Sequence, residues 1–197
     1  MGCLHLEFCA TVVLTNITLS RGFAEFGGGF FGKKLFYLMW NHVTISYSNA
    51  TDGGGAYLVD TTVGVQSVNI FNNRARENGG GLHLSYVAFE ASDLSVEKNR
   101  AGEDGGGMYC QNVYVKLGGG ILRDNTATVG GGTYAKAASL YLESTLVKSN
   151  LAQFGGGMYY IDASMFGANF TVSSNSALGS DDAGYSQGGG IYALGSG

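Results

Sequence analysis

The sequence predicts an all-β fold: a right-handed, single-stranded parallel β-helix (a solenoid) of about seven rungs, most of them 25 or 26 residues long. Two observations predict it. Short runs of glycine recur at a nearly constant interval, and apolar residues that alternate with polar ones recur at the same interval. The chain has 197 residues, of which 34 are glycine and none is proline. Its hydrophobic content of 45% argues against disorder, because such a chain can bury a core.

Glycine triplets mark one corner of each predicted coil. The ends of successive triplets are separated by 26, 26, 26, 25, 25 and 33 residues. The triplets end at Gly29, Gly55, Gly81, Gly107, Gly132, Gly157 and Gly190. An eighth triplet, Gly118 to Gly120, is out of phase with the others. A fixed period in this range is typical of solenoids, in which each repeat adds one turn to a stack.

Apolar columns with the same period predict about three short strands in each coil. The aliphatic column is Leu19, Ile45, Ile70, Val96, Leu122, Val147 and Val172. Three residues later comes a column that holds Asn73, Asn99, Asn125, Asn150 and Asn175, and two residues after it an alanine column runs from Ala24 to Ala177. A middle segment supplies Val63, Phe89, Val115, Leu140 and Met165 in one register. Apolar residues spaced two apart are typical of half-buried strands.

Stacked coils place equivalent positions above one another at about 4.8 Å, so each column must tolerate contact with itself. Aliphatic residues do so in a core. Asparagines can bond side chain to side chain, so the asparagine column is predicted to form a stacked turn ladder. Proline would remove a ladder donor from every coil, and the chain has none. Left-handed helices of the hexapeptide type have shorter periods, which favours the right-handed form.

Charge and hydropathy exclude two kinds of partner. The net charge of −4 and the absence of a basic stripe predict that the chain binds no nucleic acid. No run of about 18 apolar residues occurs, so no transmembrane segment is expected within this chain. Zinc-ligand spacing, a nucleophile elbow and a phosphate loop are also missing from the sequence, so we expect no cofactor and no metal.

The repeat resembles that of the chlamydial polymorphic outer membrane proteins, which pair Gly-Gly-Ala-Ile with Phe-x-x-Asn. Here Gly105 to Met108 reads Gly-Gly-Gly-Met, and it pairs with Val96 to Asn99. A third glycine replaces the alanine, an aliphatic residue replaces the phenylalanine, and the resemblance extends over nearly the whole chain. It implies membership of the pectin-lyase-like superfamily. It also implies a secreted or cell-surface passenger that adheres to a partner. The partner expected here is a glycan or a protein of a host or neighbouring cell.

We therefore expect a non-enzymatic surface or secreted protein, either an adhesin-type passenger or a structural stalk. The alternative is a carbohydrate-active enzyme, similar to pectate lyases, whose catalytic residues lie mostly outside this segment. Lyases of that superfamily use clustered acidic calcium ligands with an arginine or lysine base. Acidic residues are sparse here, and His5, His42 and His83 lie in different repeats, so no catalytic residue is predicted.

An aromatic column is the candidate binding site. Its members alternate with inward residues and are therefore expected to point outward as a flat strip that suits sugar rings or a partner protein. They are Phe31, Tyr57, His83, Tyr109, Tyr134, Tyr159 and Tyr192. The alternative is a structural ladder, because self-stacking alone would explain the column. The loop from Leu178 to Gln187 is a longer insertion than the usual turn, and its residues Asp181, Asp182 and Tyr185 are added to the candidate site.

Polar residues in the turns before two glycine triplets admit two interpretations. Asp52, Asn78 and Asp104 share a register and could supply oxygen ligands to calcium. Val129 and Phe154 end that row, and Arg74, Arg76 and Arg100 lie nearby, which favours interleaved surface salt bridges.

Both ends of the chain resemble the inside of a repeat. Gly2 to Leu6 is similar to Gly81 to Leu84, and the last residues open a new repeat. Solenoids need polar capping repeats, so residues 1–197 are expected to be one β-helix segment of a longer protein, without its caps. Asn16, Asn49 and Asn169 are sequons that would matter in a eukaryotic secretory route.

Overall fold

A computed structural model of the chain is a parallel β-solenoid of about 7 turns. The structure describes residues 2–179 and 188–195, and within them all regular structure is β. Every strand pairing is parallel and joins residues about one coil apart in sequence, such as Met108 with Thr133. The predicted fold class is therefore confirmed. Its handedness stays a prediction, consistent with the strong preference of parallel crossovers for the right-handed form.

The strands are short except where two coils run through their corners without a break. In chain order they are β1 Leu4–Glu7, β2 Thr11–Thr15, β3 Thr18–Ser20, β4 Phe30–Lys33, β5 Tyr37–Asn41, β6 Thr44–Ser46, β7 Asn49–Ala50, β8 Ala56–Phe71, β9 Arg74–Ala75, β10 Leu82–Glu97, β11 Met108–Gln111, β12 Tyr114–Gly118, β13 Ile121–Arg123, β14 Thr133–Lys136, β15 Ser139–Glu143, β16 Leu146–Lys148, β17 Leu151–Ala152, β18 Met158–Ile161, β19 Ser164–Ala168, β20 Thr171–Ser173, β21 Ser176–Ala177 and β22 Ile191–Leu194.

Three faces run along the solenoid. The first face stacks β1, β4, β11, β14, β18 and β22, the second stacks β2, β5, β12, β15 and β19, and the third stacks β3, β6, β13, β16 and β20. β8 and β10 each contribute to all three faces. The registers are those that the columns predict: Val115 pairs with Phe89 and with Leu140.

The core fills the inside of the coils with the predicted apolar columns. Ile45, Ile70 and Val96 are fully buried on consecutive coils. The alanine column also keeps one depth, since Ala50 through Ala152 are all buried. Trp40 occupies the core of the second coil and meets the ring of Phe30 edge to face at 5.2 Å between centroids.

Each coil turns at four corners with a left-handed backbone. At three of them non-glycine residues adopt φ values of 48–59°. The fourth is the first glycine of each regular triplet, such as Gly105 with φ 66°. The out-of-phase triplet is explained in the same way, because Gly119, with φ 75°, takes the corner after the second face that Asp93 and Ser144 occupy in other coils.

The asparagine column forms a continuous ladder at the corner after the third face, buried from Asn73 to Asn150. Its amide oxygens accept bonds from the asparagine of the preceding coil: Asn125 Oδ1 accepts from the backbone N–H of Asn99 at 2.9 Å and from its Nδ2 at 3.2 Å. Asn125 Nδ2 donates to the Val96 carbonyl at 2.9 Å. The amides thus satisfy backbone groups that the corner would otherwise leave unpaired.

Replacing Asn125 with leucine should lower the free energy of unfolding by about 2–4 kcal/mol, because the Asn99 N–H and the Val96 carbonyl lose their partners in a buried corner. The measurement is urea denaturation followed by circular dichroism.

Asn69→Leu is the matched control, since Asn69 lies in a column that holds Ile121 and Leu146 on other coils. It should change the unfolding free energy by less than about 0.5 kcal/mol. Equal losses in the two variants would contradict a specific role for the ladder.

Candidate binding surface

Eight rings form one continuous stack on the first face, named here the aromatic ladder. Centroids of successive rings lie 4.3–5.8 Å apart. The ladder contains His5, Phe31, Tyr57, His83, Tyr109, Tyr134, Tyr159 and Tyr192. Near-parallel pairs dominate, with angles of 4° for Tyr109 on Tyr134 and 5° for Tyr134 on Tyr159. The parallel register alone produces this stack, because it places equivalent residues on adjacent strands.

The ladder points away from the core, as the alternation predicts, but it is not an exposed strip. Phe31, His83 and Tyr134 are only 7–8% exposed, and the remaining rings are partly buried, with the exception of exposed His5. Turn residues pack beside the rings: Phe26 lies 5.1 Å from Tyr57, centroid to centroid. The ring faces therefore contact one another along the axis, which leaves ring edges and hydroxyls as the parts that a ligand could reach.

A groove opens beside the ladder at its N-terminal end. It has a volume of about 580 Å³. The rings of His5, Phe31 and Tyr57 line it together with Phe26 of the turn and Lys33 of β4. Glu7 also lines this groove and contacts His5, whose Nε2 lies 3.1 Å from Glu7 Oε1. A ligand at this groove would meet apolar ring edges together with both signs of charge.

The turn residues Asp52, Asn78 and Asp104 form a second, shorter side-chain ladder. Asn78 donates to Asp52 Oδ1 from its backbone N–H at 3.1 Å and from Nδ2 at 3.0 Å. The Asp104 N–H donates in turn to Asn78 Oδ1 at 3.3 Å. In residues 2–179 and 188–195, no group of three His, Cys, Asp or Glu side chains could hold a metal ion.

Fewer salt bridges form in these turns than the sequence predicts. Among the described residues, the arginines of these turns make one ion pair, from Arg76 to Glu77 at 2.9 Å. The reason is geometric: the acidic residues Asp52 and Asp104 face the aromatic ladder, whereas the arginines lie on the preceding stretch of the turn.

His83 is the buried polar member of the aromatic ladder. Its Nδ1 has no hydrogen-bond partner and lies 3.7 Å from Asp52 Oδ1. Burial between Tyr57 and Tyr109 lowers the pKa of His83 to about 3. The ring is therefore neutral at physiological pH and acts in the stack as an aromatic spacer.

Burial also shifts the ionisation of the groups around the ladder. It raises the pKa of the Tyr134 phenol to about 12, and Asp104 and the neighbouring tyrosines add to the effect. The pKa of Asp104 rises from 3.8 to about 6, because burial and then the charge of Glu103 disfavour its carboxylate, while Lys136 opposes them. The tyrosine hydroxyls thus remain donors, and Asp104 titrates close to neutrality.

Sequence reasoning missed a second aromatic set on the second face. Tyr114, Tyr141 and Phe166 are 38%, 39% and 55% exposed. The ring centroids of Tyr141 and Phe166 lie 4.9 Å apart. The sequence pattern could have predicted this set. Tyr141 and Phe166 each directly follow an inward residue of the middle column, Leu140 and Met165, and therefore point outward in one register. Asp181, Asp182 and Tyr185 of the predicted site lie outside the described residues.

Comparisons with known proteins identify no relative of this chain. A scan against protein-family models, a search of curated proteins and a search of solved structures each found no match to this chain. The stacked coils are consistent with a β-helix superfamily, and the finer resemblance to outer-membrane repeats remains a proposal. None of the described residues forms an apolar helix of membrane-spanning length.

Asp104→Asn should raise the free energy of unfolding by about 1–2 kcal/mol at neutral pH. The folded-state pKa of about 6 exceeds the ordinary value of 3.8, so wild type has its full stability below pH 3.8 and loses part of it as the pH rises through 6. The neutral amide avoids that loss, and the gain should shrink toward zero as the pH falls to about 4.

The measurement is thermal and urea unfolding from about pH 4 to pH 8. Asp60→Asn, at an exposed left-handed corner that asparagine also accepts, is the control, and the gain of Asp104→Asn should exceed any that this variant shows. A constant difference between Asp104→Asn and wild type at every pH would contradict this account.

Proposed function

We propose that this chain is part of a non-enzymatic, surface-exposed or secreted β-solenoid that serves as a rigid rod and binds partners along its sides. The repeat resemblance to polymorphic outer membrane proteins, within the pectin-lyase-like superfamily, supports a passenger or adhesin role of this kind. The observation that carries the proposal is that the repeated motif residues hold one coil to the next: the asparagines bond along the axis and the rings stack along it.

The partner is proposed to be an extended glycan or a surface protein that lies along the aromatic ladder. Ring edges and phenol hydroxyls recur there at the coil spacing, so each coil adds a similar weak contact and avidity accumulates along a polymer. The Tyr109 hydroxyl lies 3.4 Å from Gln111 Oε1, which places a polar pair beside the stacked rings. Raised phenol pKa values keep these hydroxyls as hydrogen-bond donors.

Replacing both Tyr109 and Tyr134 with phenylalanine should separate binding from folding. The rings and their stacking remain, so the melting temperature should change little, but loss of two hydroxyls should weaken glycan binding about fivefold or more. Replacing both with serine removes three ring pairs and should also lower the unfolding free energy by about 1–4 kcal/mol. The measurement is a glycan array with a pull-down from surface extracts.

Tyr114→Phe with Tyr141→Phe is the matched control, because it removes two hydroxyls on the second face and should leave that binding unchanged. Undiminished binding by the double phenylalanine variant would indicate that the binding site does not lie on the aromatic ladder. No binding by folded wild type would leave the structural stalk as the function.

The alternative is a carbohydrate-active enzyme, and one observation favours it. A carboxyl with a pKa of about 6, as for Asp104 beside Tyr109, is suited to general acid catalysis. The test is release of reducing ends from a panel of polysaccharides by wild type and by Asp104→Asn. Release that disappears in the variant would support the enzyme, and equal or no release would count against it.

A further inference from the structure

Two arginines lie side by side in the turns that precede the glycine triplets. Arg74 and Arg100 occupy the same column on consecutive coils and form a parallel bridge. Their backbones are fixed in that register: the Ala75 N–H donates to the Arg100 carbonyl at 2.8 Å, and the Arg100 N–H donates to the Asn73 carbonyl at 2.9 Å. The register therefore places two cationic side chains on adjacent coils, about 4.8 Å apart at the backbone, and like charges in such opposed positions disfavour each other.

A third guanidinium lies on the same surface. Arg76 follows Arg74 by two residues and, like it, is exposed, whereas Ala75 between them is buried. Arg76 bonds Glu77 through one nitrogen at 2.9 Å, which leaves its other N–H donors for a ligand. Three of the chain's five arginines are therefore gathered on one patch of a protein whose net charge is −4.

Acidic side chains do not neutralise the pair. Within residues 2–179 and 188–195, no carboxylate lies within 4.0 Å of Arg74 or Arg100. Arg123 shows the contrast on the third face, because it forms ion pairs with both Glu97 and Asp124. Arg74 and Arg100 thus keep their full donor capacity.

A groove with a floor of small residues runs between these arginines. Its volume is about 370 Å³, and Ala50, Ala75 and Gly102 are among the residues that line it. Gly102 cannot be replaced by a larger residue without a shift of the backbone, because a Cβ there would lie 2.0 Å from the Arg76 carbonyl oxygen. Asn49, in the column of Arg74 on the preceding coil, adds an exposed amide to the rim.

We propose that Arg74, Arg76 and Arg100 bind a tetrahedral oxyanion, namely a sulfate or phosphate ester carried on an oligosaccharide whose sugar lies in this groove. A carboxylate has two coplanar oxygens and is satisfied by one bidentate arginine. A sulfate or phosphate ester presents three acceptor oxygens that point in different directions, so it can accept from all three guanidinium groups. The amide of Asn49 can then bond the sugar hydroxyls.

The site stands on the arginines and the groove alone, so its test does not depend on the proposed surface role. The experiment is calorimetric titration of unglycosylated protein with a sulfated oligosaccharide, with its desulfated counterpart and with a phosphorylated oligosaccharide of the same length. Wild type should bind at least one charged ligand and bind the desulfated one at least about tenfold more weakly. The stronger of the two charged ligands identifies the ester.

Arg74→Gln with Arg100→Gln should weaken that binding at least about tenfold, because two charge-assisted donors are lost. Lys116→Gln with Lys148→Gln is the matched control: it removes the same charge from exposed positions on the second and third faces and should retain wild-type affinity in moderate salt. Circular dichroism checks that all variants fold.

Four results would overturn the proposal. Three are equal binding of the desulfated ligand, unchanged affinity in the double arginine variant, and an equal loss in the lysine control, which would indicate net charge alone. The fourth is failure of folded wild type to bind either charged oligosaccharide. None of these results bears on the tyrosine variants, so the two proposals fail separately.

Discussion

Close contact between coils at the glycine corner is the constraint on which the rest of the structure depends. The middle glycine of each in-phase triplet from Gly28 to Gly156 lies against backbone of the next coil: a Cβ on Gly106 would be 2.4 Å from the Gly131 oxygen and 2.6 Å from the Thr126 oxygen. Only glycine permits that approach, which holds successive coils in one register. The core columns, the asparagine ladder and the aromatic ladder all follow, because each requires equivalent residues to lie directly above one another.

This constraint also indicates where function is to be sought. Residues that recur in every coil are engaged with their own copies, as the asparagines are through the bond from Asn125 Nδ2 to Asn150 Oδ1 at 3.0 Å. Positions that depart from the repeat are free to differ between coils. Arg74, Arg76 and Arg100 are departures of this kind, and they line a groove outside the core. Asp104 is another: it lies beside the stacked rings, and its pKa is raised. A solenoid therefore presents local binding chemistry on a regular scaffold.

Much of the architecture can be predicted from the sequence, because residues of one type that recur at a fixed interval occupy equivalent environments in successive coils. The period, the strands and the asparagine column are predicted by the spacing of Leu122, Asn125 and Ala127 and their equivalents. Burial of the aromatic ladder cannot be predicted in this way, because it depends on how closely turn residues such as Phe26 pack against rings such as Tyr57. The lack of ion pairs at Arg74 and Arg100 could not be predicted either. The acidic residues close to them in sequence lie on a different side of the turn.

Unfolding free energies of Gly106→Ala and Gly118→Ala test this account most directly. Both variants add one methyl group at a glycine, but a Cβ on Gly118 would lie 3.8 Å from its nearest neighbour, the Ala91 oxygen. The account predicts that Gly106→Ala costs about 3 kcal/mol or more and that Gly118→Ala changes stability by less than about 1 kcal/mol. Similar effects of the two substitutions, measured by urea denaturation, would contradict the claim that coil contact at the glycine corner sets the register.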